Sequence, residues 1–303
     1  MRRIPGGTFR MGSAHHYPEE APVHRVTVDS FWLDTAPVTN RQFGRFVRAT
    51  GHRTVAEIPP KPEDYPDAPP HLLFPGSLVF VPPRGSVDRR DYSQWWVFLR
   101  GANWRHPYGP GSSIKGLDDH PVVHVAYDDA ASYAAWAGKG LPTEAEWEFA
   151  ARGGLDGADF AWGDEFAPGG RRMANTWQGE FPHWNLSPAA YKRTSPVGAF
   201  PANGYGLVDM IGNVWEWTSD WYASGHPDDA PKACCIPRNP RGGREADSRD
   251  PRSGIPCKVV KGGSHLCAPN YCRRYRPAAR HAQPVDTSMS HVGFRCIVRE
   301  DLP

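Results

Sequence analysis

Apolar and polar positions change period several times along the chain, and the changes mark the elements. Near the N terminus Phe9 and Met11 alternate with Thr8 and Arg10, and Val26 and Val28 flank Thr27 ahead of Phe31. This predicts two short strands around a loop. The period then lengthens. Phe43, Phe46 and Val47 share one helical face, Thr39 and Gln42 form a capping box, and Gly51 is placed to end the helix. A second helix is predicted from Asp128 through Tyr133 and Trp136 to the Gly138/Gly140 region. A third follows Pro142, where Thr143 and Glu146 make another capping box before Trp147, Ala150 and a Gly153-Gly154 stop. A proline-rich stretch from Pro59 to Pro83 and the aromatic run from Trp95 to Phe98 separate the first two helices. Residues 156–206 show no period, and residues 225–256 are polar and rich in Pro, Arg and Asp, as a surface insertion would be. Late strands are predicted at Val259-Val260 and over residues 292–298. With no repeat and no linker, the expectation is one α+β domain over residues 1–303, with loop-rich insertions near 59–118 and 225–256.

Composition narrows the class. The 303 residues include 31 glycines and 32 prolines, a loop-rich content, but also 12 Trp, 11 Tyr and 13 Phe, too much aromatic surface for a disordered chain. The 35 basic against 33 acidic side chains leave +2, so no overall field favours nucleic acid or a membrane surface. No run approaches the roughly 18 apolar residues of a membrane helix, and Met1-Arg2-Arg3 leads into Ile-Pro-Gly-Gly with no apolar segment of a signal peptide. A soluble cytoplasmic protein is expected.

Candidate chemistry sits in the last third. All six cysteines lie between Cys234 and Cys296, a clustering that points to metal or redox chemistry rather than a disulfide scaffold. Cys267 and Cys272 stand five residues apart behind the Gly262-Gly263 turn. Two soft thiolates suit Cu(I), which accepts low coordination; a mixed zinc site with His265, His281 or His291 and a local disulfide are the alternatives. Arg273, Arg274, Arg276 and Arg280 follow at once. A solvated basic face is the expectation, against a role in lowering thiol pKa or steering an anionic peptide. The adjacent pair Cys234-Cys235 has the chemistry to bind a soft metal or to oxidise. From Asp209 to Trp217, two carboxylates and several turn carbonyls offer the hard oxygens that Ca2+ takes, although the spacing is not that of an EF-hand and an aromatic turn is the plainer alternative.

The chain resembles the formylglycine-generating enzymes, or sulfatase-modifying factors. The resemblance rests on the runs from Ile4 to Ser13, Pro37 to Asn40, His120 to Val125, Leu141 to Glu148, Asn175 to Gly179, Asn203 to Leu207, Gly212 to Trp217 and Gly293 to Cys296. Much of this is common to a wider superfamily. The discriminating stretch is Gly-Gly-Ser-His-Leu-Cys from Gly262 to Cys267, with Cys272. The resemblance implies an irregular fold of low secondary-structure content, related to C-type lectins. It also implies a reaction, in which the cysteine of a Cys-x-Pro-x-Arg segment in an unfolded sulfatase becomes Cα-formylglycine with O2 as oxidant. Cys267 and Cys272 match the pair that holds Cu(I), and Ser264, Trp215 and Tyr271 match the lining of the pocket. His291 and Ala268 fall where relatives carry other residues near the substrate. Where secretory relatives have disulfides, Cys296 faces Ala134 and the second pair is Ala151 and Pro277, which suits a reducing compartment.

The resemblance further implies structural calcium. Asp209, the carbonyls of Gly212 and Val214, and Glu216 match one site completely. Asn175, Thr176 and Tyr191 match a second, weaker site whose acidic ligand falls on Ala189. A monomer whose partner is the unfolded sulfatase is expected. Two other functions are weighed against the copper oxidase: an iron-dependent sulfoxide synthase, and a non-catalytic peptide- or ligand-binding module of the same fold.

Overall fold

A computed structural model describes residues 1–66 and 68–300. The capping boxes start the helices as expected. Helix α1 (Asn40–Thr50) begins at Thr39, which accepts from the Gln42 backbone, and closes on Gly51 in the left-handed conformation. Helix α2 spans Tyr127–Trp136. Helix α3 (Glu144–Arg152) begins at Thr143 with Glu146 completing the box, and ends at left-handed Gly153.

The strands form four small sheets. Near the termini β1 (Arg2–Ile4) and β11 (Ile297–Arg299) both pair antiparallel with β4 (Phe31–Leu33), which joins the two ends of the chain. Strands β2 (Gly7–Met11) and β3 (His24–Val28) pair with each other, as do β5 (Gly76–Phe80) and β6 (Trp96–Arg100). The last sheet runs β10-β7-β8-β9, from Val292–Gly293, Trp215–Trp221, Cys257–Lys261 and Arg280–Pro284. The insertion near 59–118 therefore carries a hairpin, and its aromatic run is β6 with the turn before it.

Two expectations are corrected. Residues 292–298 are not one strand. The ladder breaks between β10 and β11, where the Arg295 side chain turns inward to Glu216 instead of continuing the sheet. The arginine run is not a solvated face either. Arg276 and Arg280 are each 1% exposed, bonded to Glu20 and Glu144 from elements far away in sequence.

The main core runs from Ile4 and Phe9 through Phe43, Trp147 and Trp217 to Phe294 and Ile297, and Cys267 belongs to it. A satellite cluster of Trp95, Trp177, Phe181, Leu266 and Ala268 packs beside it. Residues 225–256 lie mostly exposed, anchored to β3 by the Thr27 N–H on the Pro237 carbonyl.

Candidate active site

Strand β8 ends at Lys261, and the chain turns sharply through Gly262 (φ 89°) and Gly263 (φ 70°) into Ser264. The Cys267 N–H then donates to the Ser264 carbonyl at 3.0 Å, and the Cys272 N–H to the Ala268 carbonyl at 3.1 Å. These two successive turns return the second cysteine to the first. The Sγ atoms lie 3.3 Å apart, beyond a covalent bond, and both thiols are free.

The two sulfurs differ in setting. Cys267 is 2% exposed, and burial pushes its thiol well above the ordinary range. Cys272 is partly exposed and is held below that range by the hydrogen bond from Cys267, with Arg274 adding a positive charge. The partly exposed thiol is thus the more readily ionised one. Two soft sulfurs at this separation fit a single thiophilic ion of low coordination number.

Of the other predicted residues, Ser264 and Ala268 are hydrogen-bonded to the two cysteines directly. Ser264 is fully buried; its N–H points at Cys267 Sγ at 3.4 Å, and its Oγ accepts from the Leu266 N–H. Tyr271 stacks on Phe181 (4.5 Å between centroids, 5° between planes), lies edge-on to Trp95, and is 39% exposed at the mouth. Trp215 opens β7, donates its N–H to the His291 carbonyl, and lies 5.8 Å from the His281 ring. His291 packs at 4.8 Å on Trp96, and its buried Nδ1 has no partner among the described residues. Burial holds His291 well below its ordinary pKa, so the ring is neutral near pH 7. Ala268 is fully buried in the satellite cluster. Cys234 and Cys235 sit on an exposed turn of the insertion, 3.7 Å apart.

The residues expected to hold calcium divide. Gly212 lies so close to the Asn175 carbonyl that a Cβ would stand 2.6 Å from it, and the Asn213 N–H donates to the same oxygen. The two matched turns therefore adjoin. Asp209 accepts from the Gly198 N–H, and burial raises its carboxyl to about 6. Glu216, however, is closed on both oxygens. Arg295 takes them at 2.6 and 2.7 Å, and the Trp147 indole adds a bond at 2.8 Å. At the other turn the buried Asn175 Oδ1 has no partner among the described residues, while the Thr176 carbonyl accepts from Gln178 and Arg172. Asp209 and Asn175 thus keep oxygen valence for a cation, and Glu216 has already spent its own.

Comparison with known proteins identifies the family. The model of the sulfatase-modifying factor enzyme 1-like domain matches residues 1–300. The chain belongs to the formylglycine-generating enzyme family. It is 56% identical to the formylglycine-generating enzyme of Mycobacterium tuberculosis over 97% of this chain and 96% of the relative. It is 46% identical to that of Thermomonospora curvata, over 98% and 92% respectively. The family, whose enzymes convert cysteine to formylglycine, also has inactive members. The inactive Cα-formylglycine-generating enzyme 2 of Bos taurus is 38% identical over 98% of this chain and 87% of its own. Among solved structures, PvdO from Pseudomonas aeruginosa aligns with TM-score 0.65 at 23% identity, over 98% of this chain and 93% of that one, and shows the shared fold.

Sequence reasoning named Arg274 as a group able to lower a thiol pKa but missed Tyr17 and Glu19 beside it. Both lie more than 250 positions before Arg274, and no local pattern ties them to it.

Proposed function

We propose that this protein oxidises the cysteine of a Cys-x-Pro-x-Arg segment in an unfolded sulfatase to Cα-formylglycine, with O2 as oxidant and Cu(I) held by Cys267 and Cys272. The observation that carries the proposal is the free thiol pair at 3.3 Å, half buried beside an aromatic mouth. When bound, the ion would supply a site for the substrate thiolate and the redox chemistry toward O2. The chain's own residues do the rest. Ser264 and the two turns hold the sulfurs in place, and Trp215 and Tyr271 wall the pocket. The neutral His291 offers a hydrogen-bond partner to an incoming peptide, and the dry surroundings limit side reactions.

An extended peptide suits such a mouth, since backbone hydrogen bonds supply affinity and alternate pockets supply selectivity. Structural Ca2+ is proposed at Asp209 with the carbonyls of Gly212 and Val214. Glu216 reaches that ion only by releasing Arg295. A weaker site is proposed at Asn175, Thr176 and Tyr191. Elemental analysis after dialysis against a weak chelator measures both.

No group of three His, Cys, Asp or Glu side chains converges among the described residues, which speaks against the iron-dependent alternative. The intact thiol pair speaks against the binding module. We place the protein in the cytoplasm as a monomer: the free cysteines suit a reducing compartment, and no helix among the described residues is long and apolar enough to cross a membrane. The test is to incubate the copper-loaded protein in air with a Leu-Cys-x-Pro-x-Arg peptide and weigh the product. Conversion of CH2–SH to CHO supports the proposal, and an unchanged peptide refutes it.

A further inference from the structure

We infer that Tyr17 and Glu19 are positioning residues for the thiol pair: the strap of residues 17–20 presses the Cys272 limb against the Gly262-Gly263 turn and so sets the distance between the two sulfurs. The inference rests on the reading of Cys267 and Cys272 as the reaction centre. Three stretches of backbone lie against one another here. On one side the Gly262-Gly263 turn, which leads into Cys267, touches the limb so closely that a Cβ on Gly263 would stand 2.6 Å from the Arg274 carbonyl. On the other side the Tyr17 hydroxyl accepts the Arg273 N–H at 3.0 Å, and its ring lies 3.8 Å beneath the Arg274 guanidinium. Glu19 takes the same guanidinium at 2.6 Å, so Arg274 is held by charge and by the ring face together.

The strap is itself fixed from behind. Glu20 is fully buried and pairs with both terminal nitrogens of Arg276, whose Nε donates to the Arg273 carbonyl. The Glu20 carbonyl accepts from Ser13, and the Glu19 carbonyl accepts from Arg280. Residues 273, 274 and 276 are thus each bonded to the strap within four positions of Cys272. A limb held on one face only by a glycine turn is free to lift from it; the strap closes the other face. Pre-setting two ligands in this way lowers the ordering cost of whatever they bind.

The test uses the full chain in a Cys234→Ser/Cys235→Ser background, so that the surface pair does not compete. Phenylarsine oxide bridges two thiols at close range, forming two S–As bonds and releasing one water. It therefore reports sulfur placement without copper or turnover. The parent protein should give a 1:1 adduct that disappears in Cys272→Ser. Tyr17→Phe with Glu19→Gln should weaken that adduct about tenfold, the equivalent of one lost hydrogen bond or a little more. Glu19→Asp, which keeps the charge, should recover most of the affinity. If the double variant does not fold, Tyr17→Phe alone carries the measurement, because it removes only the hydroxyl. Adduct affinity within about twofold of the parent in a folded variant overturns the inference, as does failure of the parent to form the adduct. If the parent binds no Cu(I) but its arsenical affinity still responds to the strap, the positioning role stands and the copper proposal falls.

Discussion

Under α3, each buried charge that the helix meets has a partner. Glu144 takes Arg280 on both oxygens at 2.8 Å, and Glu148 takes Lys261, Arg152 and the Gly12 N–H. Fully buried Lys261 adds the Ala278 carbonyl. The thiol site is built the other way. His291 Nδ1 and the Trp177 indole N–H are buried without partners among the described residues, and the two free sulfurs face each other at 3.3 Å. Desolvated ions are tolerable only when geometry and hydrogen bonds compensate them, so the first region is closed and resists change. The second leaves bonding capacity open, which is what a site for a ligand requires.

The sharpest way to break this contrast is to change the sulfurs. Either Cys267→Ser or Cys272→Ser should abolish turnover of the peptide, a loss of at least about a thousandfold, because an alcohol is a poor ligand for a soft ion. Stability should change by no more than about 1 kcal/mol, since the pair holds no buried charge network. Cys234→Ser with Cys235→Ser should leave turnover unchanged. Mass spectrometry of the peptide decides; near-normal conversion by Cys267→Ser would remove the thiol pair from the mechanism.

The charged layer should answer oppositely. Glu148→Gln leaves Arg152 without its carboxylate partner in a dry environment and Lys261 with only Glu144, at 3.4 Å, and about 3–5 kcal/mol of stability should be lost in urea unfolding. The fraction that remains folded should turn over peptide as before. A loss under about 0.5 kcal/mol would show that the layer is wetter than its burial indicates.

Acid should find the same distinction at smaller cost. His124 is fully buried between Ser77 Oγ and the Pro107 carbonyl; the carbonyl can only accept, so the proton sits on Nε2. Burial holds its pKa down to about 4, and does the same for His265 and His226. A group favoured neutral in the fold contributes fully above its free value near 6.5 and loses that contribution as pH falls from there toward 4. For Glu144 and Glu148 burial opposes ionisation, but the cations outweigh it and hold both at about 2, so their contribution is lost only below about 4.5. Burial raises Asp129 and Asp220, which therefore work in the opposite sense. Stability should begin to fall below pH 6.5, by as much as about 3 kcal/mol for His124 if charged without relief. His124→Gln should flatten the limb between pH 6.5 and 4.5. A unfolding midpoint as steep in the variant as in the parent over that range would assign the limb elsewhere.

What the sequence made legible was local. Both capping boxes and both left-handed glycine stops are decided within a few residues of themselves, and both were read correctly. The thiol pair was legible because two turns close within nine residues, from Ser264 to Cys272. Illegible were the links of long separation. Glu20 meets Arg276 across 256 positions and Glu144 meets Arg280 across 136, so a run of arginines that locally suggests a wet face proved to be core. The break after β10 has the same cause, since Arg295 leaves the strand pattern to reach Glu216, 79 residues away. The coordinating role expected of Glu216 rests on the resemblance and on the residues of its own turn, and neither reveals that Arg295 and Trp147 bond its carboxylate.

The smallest effect tests whether even the ends of the two regions differ. Thr143 caps α3 on the charged side and is 3% exposed; Thr39 caps α1 and is 8% exposed. In each box the threonine hydroxyl accepts a backbone N–H, from Glu146 at 3.1 Å and from Gln42 at 3.3 Å. Replacing either by alanine removes one acceptor at a helix start, a cost of about 1 kcal/mol. The neighbours decide which loss is larger. The Glu146 carboxylate still serves the Thr143 N–H at 2.7 Å and also pairs with Arg299, so the far half of that box is fixed by β11. With its partner fixed, the Glu146 N–H cannot shift toward water, and Thr143→Ala should reach the upper part of the capping range, near 2 kcal/mol. The Gln42 amide has no such anchor, so Thr39→Ala should stay near the lower part, below about 1 kcal/mol. Serine at either position should restore most of the loss, and neither variant should alter peptide turnover. Urea midpoints of the four variants measure the difference; a larger loss at Thr39 than at Thr143 would show that the anchoring of the cap's partner is the wrong guide here.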